Sequence, residues 1–303
     1  MKKILITGGT VFVSKYLAEY FAQRDNEVFV FNRNTHPQVN GTQLIQGDKN
    51  EVCKEFKNHS FDLVIAVNIY TADEMRKLLD GLGEIGDFVF ISSSAVYPET
   101  TPLPFQETDP TGTNSIWGIY GTNKIAAEQL LLERVPNAYI LRPPYFYGKY
   151  QNLYREGFVF DCAMQHQPFY LPKDGKMPLQ FYHVSDLCKL IDALLLQKPG
   201  QHILNVGNKK IVDVNEFVEI CYRIVGTELE KIYVDASHSQ RSYFPFHDYT
   251  YYLDVTKQYE IFPSEIPLEE GLREDFEYYR DHQNEVMKKN AYFEYIEANF
   301  KKH

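Results

Sequence analysis

The chain has 303 residues, of which 44% are hydrophobic and 24% charged, and carries a formal net charge of −10. That length and balance describe an ordinary globular chain of one large domain or two smaller ones, and exclude a fibrous or disordered one. The acidity speaks against a phosphate-binding surface over the whole protein, so nucleic acid is not an expected partner, and no run approaches the roughly 20 apolar residues that span a membrane.

The chain opens on Ile4, Leu5 and Ile6, without a basic-apolar-small leader pattern; the run suits a strand buried on both faces. Gly8-Gly9 breaks it, and helical spacing of Phe12, Leu17 and Phe21, with Tyr16 and Tyr20, continues to about residue 24. A strand, a glycine turn and a helix are the parts of a dinucleotide site, because a helix N-terminus offers free N–H donors to a pyrophosphate. Gly8, Gly9, Thr10, Val11 and Phe12 are the candidate cofactor residues of that turn. Further strands are predicted at 27–31, 43–48, 61–66, 88–91 and 138–141, with a short helix at 51–57 and longer ones at 73–82 and 119–134. This alternation predicts an α/β fold, a Rossmann-type doubly wound parallel sheet with right-handed crossovers. Ligands on such sheets bind at the carboxyl ends of the strands, where Gly8, Asn32, Asp48, Ala66 and Ser93 all fall.

Beyond Arg142-Pro143-Pro144 the alternation fails, as expected of a smaller C-terminal substrate lobe. Residues 1–145 are read as the NAD(P)-binding domain, completed by a segment around 180–206, and 146–303 as mainly the substrate-facing lobe. Helices are predicted at 186–196, with Asp186 as N-cap, at 214–225, capped by Asp213 with Glu216, and at 267–280, before a charged, aromatic tail. Cys53, Cys162, Cys188 and Cys221 are far apart and never form C-x-x-C, which indicates neither a metal site nor a disulfide framework. Buried free thiols in a reducing cytoplasm are the expectation. Tyr120 and Lys124 lie four apart, hence on one helix face, and a lysine beside a phenol favours the phenolate of a general acid/base. Tyr145 and Lys149 share the spacing, but two prolines precede them and Gly148 interrupts.

Thr7-Gly8-Gly9-Thr10-Val11-Phe12-Val13-Ser14 resembles the opening of the extended short-chain dehydrogenase/reductase family, which usually reads T-G-x-x-G-x-x-G. Val11 and Ser14 replace its second and third glycines, in the manner of a subgroup opening G-G-T-x-F, and Ser14 implies a displaced helix or a local rearrangement. Ser92-Ser93-Ser94-Ala95-Val96-Tyr97, Ala127-Glu128, Leu141-Arg142-Pro143-Pro144, His183-Val184-Ser185-Asp186 and Asn205-Val206-Gly207 resemble later motifs, so the likeness runs to about residue 280. It implies that Tyr120 moves a proton while hydride passes between substrate and nicotinamide. Lys124 then holds the cofactor ribose and lowers the Tyr120 pKa, Ser93 hydrogen-bonds the reacting oxygen, Asp48 accepts from the adenine amino group, and Ala66 lies beside the cofactor. The implied function is an NAD(P)-dependent epimerase or reductase acting on a polar, sugar-derived small molecule, in a homodimer paired through the helix carrying Tyr120.

Three departures bear on that reading. Leu179 stands where sugar-nucleotide epimerases carry an arginine, which weakens a UDP-sugar substrate and leaves Arg241 as an alternative anion ligand. No acidic pair follows Ser93, which argues against a dehydratase. Asn32 replaces the carboxylate that ends the second strand in NAD enzymes and Arg33 follows it, which favours NADP over NAD. Pro245-Phe246-His247-Asp248 with Gly47-Asp48 is similar to the branch containing the chloroplast stem-loop-binding proteins. The alternative function is therefore a non-catalytic nucleotide-sensing or RNA-binding protein on the same fold.

Overall fold

In the computed structural model, which describes residues 1–301, the apolar runs form β1 (Lys3–Thr7), β2 (Glu27–Asn32), β3 (Thr42–Gln46), β4 (Phe61–Ala66), β5 (Ile85–Ile91) and β6 (Tyr139–Arg142). With the short strand Ile203–Asn205 they make one parallel sheet, whose order from that strand is β6-β5-β4-β1-β2-β3. The helices that position the cleft are α1 (Phe12–Ala22), α2 (Ala72–Gly81), α3 (Ile119–Arg134), α4 (Glu156–Met164) and α5 (Val184–Gln197). Side chains alternate across a strand, so Ile4 and Ile6 pack with α1 and α5 on one face while Leu5 packs with α2 and α3 on the other. A third core, dense in aromatics such as Phe158, Phe181, Phe217 and Phe246, is built mainly from the chain beyond β6, with Tyr97 and Phe105 from before it. The helix Ala291–Asn299 closes it through Tyr292 and Ile296.

Local differences from the sequence expectations have local causes. Residues 51–57 yield only the 3₁₀ turn Lys54–Asn58, anchored by the buried Phe56. The helix predicted from 186 starts at Val184, and its N-cap is His183, whose Nδ1 accepts from the Ser185 N–H at 3.3 Å. Asp186 instead turns inward and accepts from the Ile266 N–H at 2.8 Å, tying α5 to a later segment. Burial pushes the His183 pKa down to about 4, so this cap is neutral at physiological pH. The parallel pair Phe169–Pro172 with Lys231–Val234 joins segments too distant for any periodicity to signal.

A buried polar network fixes α3 against the sheet. Arg142 at the end of β6 grips Glu128 of α3 in bidentate fashion, Nε to Oε1 at 3.1 Å and Nη2 to Oε2 at 2.6 Å. Its Nη1 donates to the Tyr97 hydroxyl at 2.9 Å, which donates to Asn205 Oδ1 at 2.7 Å, and the Ser92 hydroxyl donates to Glu128. Arg142 is thus a stabiliser of the sheet end. Removing one partner strands a buried charge, so Glu128→Leu or Arg142→Met should each cost about 3–5 kcal/mol in urea denaturation, and the Glu128→Leu/Arg142→Met double variant less than either. Strict additivity of the two single losses would contradict this coupling.

Candidate active site

A cleft of about 670 Å³ runs along the carboxyl ends of the strands. Its floor begins at the turn after β1, where Gly8 and Gly9 take φ of +97° and +91°, values open to glycine. Phe12, the first residue of α1, also has positive φ, +40°, a strained setting for an aromatic residue. The turn is bound on both sides: the Gly8 N–H donates to the Phe31 carbonyl at 2.9 Å, and Asn32 Nδ2 donates to the Gly8 carbonyl at 2.7 Å. Ser14 fits because its hydroxyl bends back to the Val11 carbonyl at 2.8 Å, in the space that a Cβ on Gly8 would need. That is the local rearrangement its presence implied. Helix α1 starts without a side-chain cap or an acidic residue in its first turn, which leaves its N–H donors for an anion.

Of the sequence candidates, Gly8, Thr10, Val11, Phe12, Asn32, Arg33, Asp48, Ser93, Tyr120 and Lys124 line this one cleft. Gly9 and Ala66 do not. Gly9 faces Val30, whose Cγ1 would lie 2.4 Å from an added Cβ, and Ala66, at the end of β4, is fully buried in the core on the Leu5 face. Asn32 has its amide occupied: beyond Gly8 it donates to Gln38 Oε1 at 3.0 Å, and its Oδ1 accepts from the Asn34 N–H at 2.8 Å. The Asn50 backbone N–H and side chain hold the Asp48 carboxyl below its ordinary pKa. Leu179 is buried in the third, aromatic core, and the Arg241 guanidinium is turned onto the Phe244 and Pro245 carbonyls, so neither reaches the cleft.

Tyr120 opens the first turn of α3, which comes so near the Ser94–Val96 turn that a Cβ on Gly121 would lie 2.3 Å from the Ala95 carbonyl oxygen. That approach brings Ser93 beside the phenol. The Ser93 hydroxyl also accepts from the Ala95 N–H at 3.1 Å, which fixes its direction. Burial pushes the Tyr120 pKa up to about 12, while the Ser93 hydrogen bond lowers it and Tyr70 adds to the rise. With 38% of the residue exposed, solvent tempers that shift. Lys124 does not depress it here, contrary to expectation. Its ammonium, 1% exposed, donates to the Ile69 and Ile91 carbonyls at 2.8 Å each, and burial takes its own pKa down to about 7.

Sequence reasoning missed several lining residues. Val67, Asn68, Pro143 and Pro144 follow strand ends and were open to the same positional rule. Lys49 is held by the Asn68 carbonyl at 2.8 Å and by Glu74 at 3.0 Å, and Tyr70 packs its ring 6.2 Å from that of Tyr120. Arg155 enters from the N-terminus of α4, where no sequence signal pointed to the cleft.

The family model "NAD dependent epimerase/dehydratase family" matches residues 4–207. The chain is 26% identical over 300 residues to chloroplast stem-loop binding protein of 41 kDa b from Arabidopsis thaliana, covering 91% of this chain and 78% of that protein. It is 25% identical over 334 residues to a UDP-N-acetyl-alpha-D-glucosaminuronate decarboxylase of Bacillus cytotoxicus, covering 94% and 99%. Among solved structures, its fold is similar to that of a UDP-glucose 4-epimerase of Thermotoga maritima with UDP-glucose, at TM-score 0.75 and 20% identity over 93% of this chain and 99% of the other. A dTDP-glucose 4,6-dehydratase from Bacillus anthracis in complex with NAD gives TM-score 0.75 and 20% identity over 94% and 99%.

The Lys124 environment has a measurable consequence. Its folded-state pKa of about 7 lies below the ordinary 10.5, so the unfolded chain holds a proton that the folded one has released between these values. Stability should therefore rise with pH from about 7 to about 10.5, and the burial penalty is present in full below about 7. Lys124→Met should flatten that part of the curve in urea midpoints measured across the range. Parallel curves for the two proteins would show that Lys124 titrates normally.

Proposed function

The chain belongs to the NAD dependent epimerase/dehydratase family, and on that premise we propose an NAD(P)-dependent epimerase or oxidoreductase acting on a hydroxyl-bearing, sugar-derived substrate. The observation that carries the reading is that Ser93, Tyr120 and Lys124 line the same cleft as the uncapped glycine turn of α1. Sugar nucleotides in the names of the decarboxylase and epimerase relatives support the substrate class. Residues 1–145, with the return around 180–206, are proposed as the cofactor unit and 146–303 as mainly the substrate lobe. A cytoplasmic homodimer is proposed, with α3 in its interface; Ile119 on that helix is 77% exposed. Nucleic acid is not proposed as a partner, since of the lining cations Lys49 and Lys124 already have partners within the protein.

The residues present fit a dinucleotide. The free N–H groups at the start of α1 suit its pyrophosphate, and Lys124 has one of its three donors left for a ribose hydroxyl. A bound nicotinamide supplies the hydride acceptor and donor. Ser93 would orient the reacting oxygen through its hydroxyl, and Tyr120 would pass the proton at its phenol oxygen. With a pKa of about 12 the phenol is protonated at neutral pH, so it starts as the donor to a carbonyl oxygen and as the acceptor only once its phenolate is stabilised. NADP is favoured over NAD because Arg33 lines the cleft at the end of β2 while Asn32, which offers no charge, is held by Gly8 and Gln38.

NAD or NADP should raise the thermal midpoint; no shift with either at millimolar concentration sinks the reading. Tyr120→Phe should keep cofactor affinity and lower turnover of UDP-glucose or UDP-glucuronate roughly 10²–10⁴-fold, with the buried Tyr145→Phe as control. Calorimetric titration should show NADP binding more tightly than NAD, and Arg33→Ala should erase the difference. An NADP affinity unchanged in Arg33→Ala would remove Arg33 from cofactor choice.

A further inference from the structure

Charge is distributed unevenly along the cleft. Among the described residues its only lining carboxylate is Asp48, beside the end of β3, and its arginines are Arg33 after β2 and Arg155 from α4. Arg33 and the region of Arg155, which contacts the segment just after β6, are separated by four strand steps. At about 4.8 Å per step that is roughly 19 Å, too far for one anion to touch both. Arg155 therefore serves a different group from the one at Arg33.

Arg155 is held but not neutralised by a hydrogen-bonded partner. Its Nη2 donates to the Phe146 carbonyl, and the guanidinium carbon lies 5.2 Å from the Tyr145 ring centre and 5.8 Å from that of Phe246. These contacts fix the plane of the fork. The nearest carboxylate oxygen, on Glu156, is 3.7 Å away and makes no hydrogen bond to it. Glu156 and Asp275 are both buried, and burial raises both carboxyl pKa values, Asp275 further through Glu156, which weakens Glu156 as a counter-ion. A guanidinium whose side chain is only 12% exposed, facing a cleft with no carboxylate at this end, has no hydrogen-bonded counter-ion.

We propose that Arg155 binds an anionic group of the substrate, a phosphate or a carboxylate, at the end of the cleft shared with Pro143, Pro144 and Phe146. This rests on the reading of the cleft as a cofactor-plus-substrate site. It supplies from α4 the positive charge that Leu179 does not supply, and it selects anionic substrates over neutral sugars.

The test titrates NAD-loaded protein with inorganic pyrophosphate and, separately, with citrate. Arg155→Ala should weaken at least one of them about tenfold or more, and Arg155→Lys, which keeps the charge but loses the fork, by less. Arg241→Ala, outside the cleft, should change neither. Loss confined to pyrophosphate assigns a phosphate, and loss confined to citrate a carboxylate. Equal affinities in wild type and Arg155→Ala for both probes, including no binding to either, overturn the proposal. NAD affinity measured in the same variants reports that they fold, and Arg155→Lys carries the comparison if Arg155→Ala does not. Should NAD fail to bind at all, the enzymatic reading falls, while the same titrations on unloaded protein still decide the role of Arg155.

Discussion

The bidentate pair between Glu128 and Arg142 is the constraint on which the cleft depends. It joins α3 to the end of β6, and through Ser92, Tyr97 and Asn205 it also reaches the end of β5, the loop after it and the last strand of the sheet. A buried ion pair is poor evidence for stability by itself, because desolvation offsets much of the attraction. Its effect here is geometric. A fork matched to a carboxylate allows one orientation, so α3 has one register against the sheet, and Tyr120 and Lys124 follow from that register.

The same helix explains why Lys124 and Tyr120 differ from a simple neighbouring pair. Four-residue spacing puts them on one face, but Lys124 points inward to the carbonyls of Ile69 and Ile91, which end or follow β4 and β5. One oxygen ends β5 and the other lies in the segment after β4, so the ammonium ties these neighbouring strand ends together as well as lining the cleft. Tyr120 stays at the surface of the cleft, against Tyr70 and Ser93. Burial therefore acts on the two groups in opposite directions, lowering the amine and raising the phenol.

The glycine turn shows how a departure from a pattern is absorbed. Ser14 is tolerated because its hydroxyl finds the Val11 carbonyl instead of pushing the helix away through an unpaired contact. The accompanying strain is visible in the positive φ of Phe12. Thr7 adds a second tie, accepting from the Val67 N–H at 2.9 Å, which holds the ends of β1 and β4 together beneath the cleft.

What the sequence by itself determined was the parallel sheet, its doubly wound faces and the strand ends that form the cleft. Runs such as Ile4-Leu5-Ile6 and Val64-Ile65 are short-range signals, and the period of two that separates Leu5 from Ile4 and Ile6 decides which helices cover each face. The positions of Gly8, Asn32, Asp48 and Ser93 in one cleft follow from that rule, since parallel strands deliver their carboxyl ends to one edge. Only the tertiary structure decided which way side chains at those ends turn. Ala66 is packed into the apolar core on the Leu5 face of the sheet, Asn32 turns to the Gly8 carbonyl, and His183 takes the capping role that spacing gave to Asp186. Arg155 is the clearest case: its place in the cleft comes from the packing of α4 against a core whose partners lie as far away in the chain as Tyr279. Local sequence carries no information about such a contact, because burial and electrostatic environment are set by residues that meet only once the chain has folded.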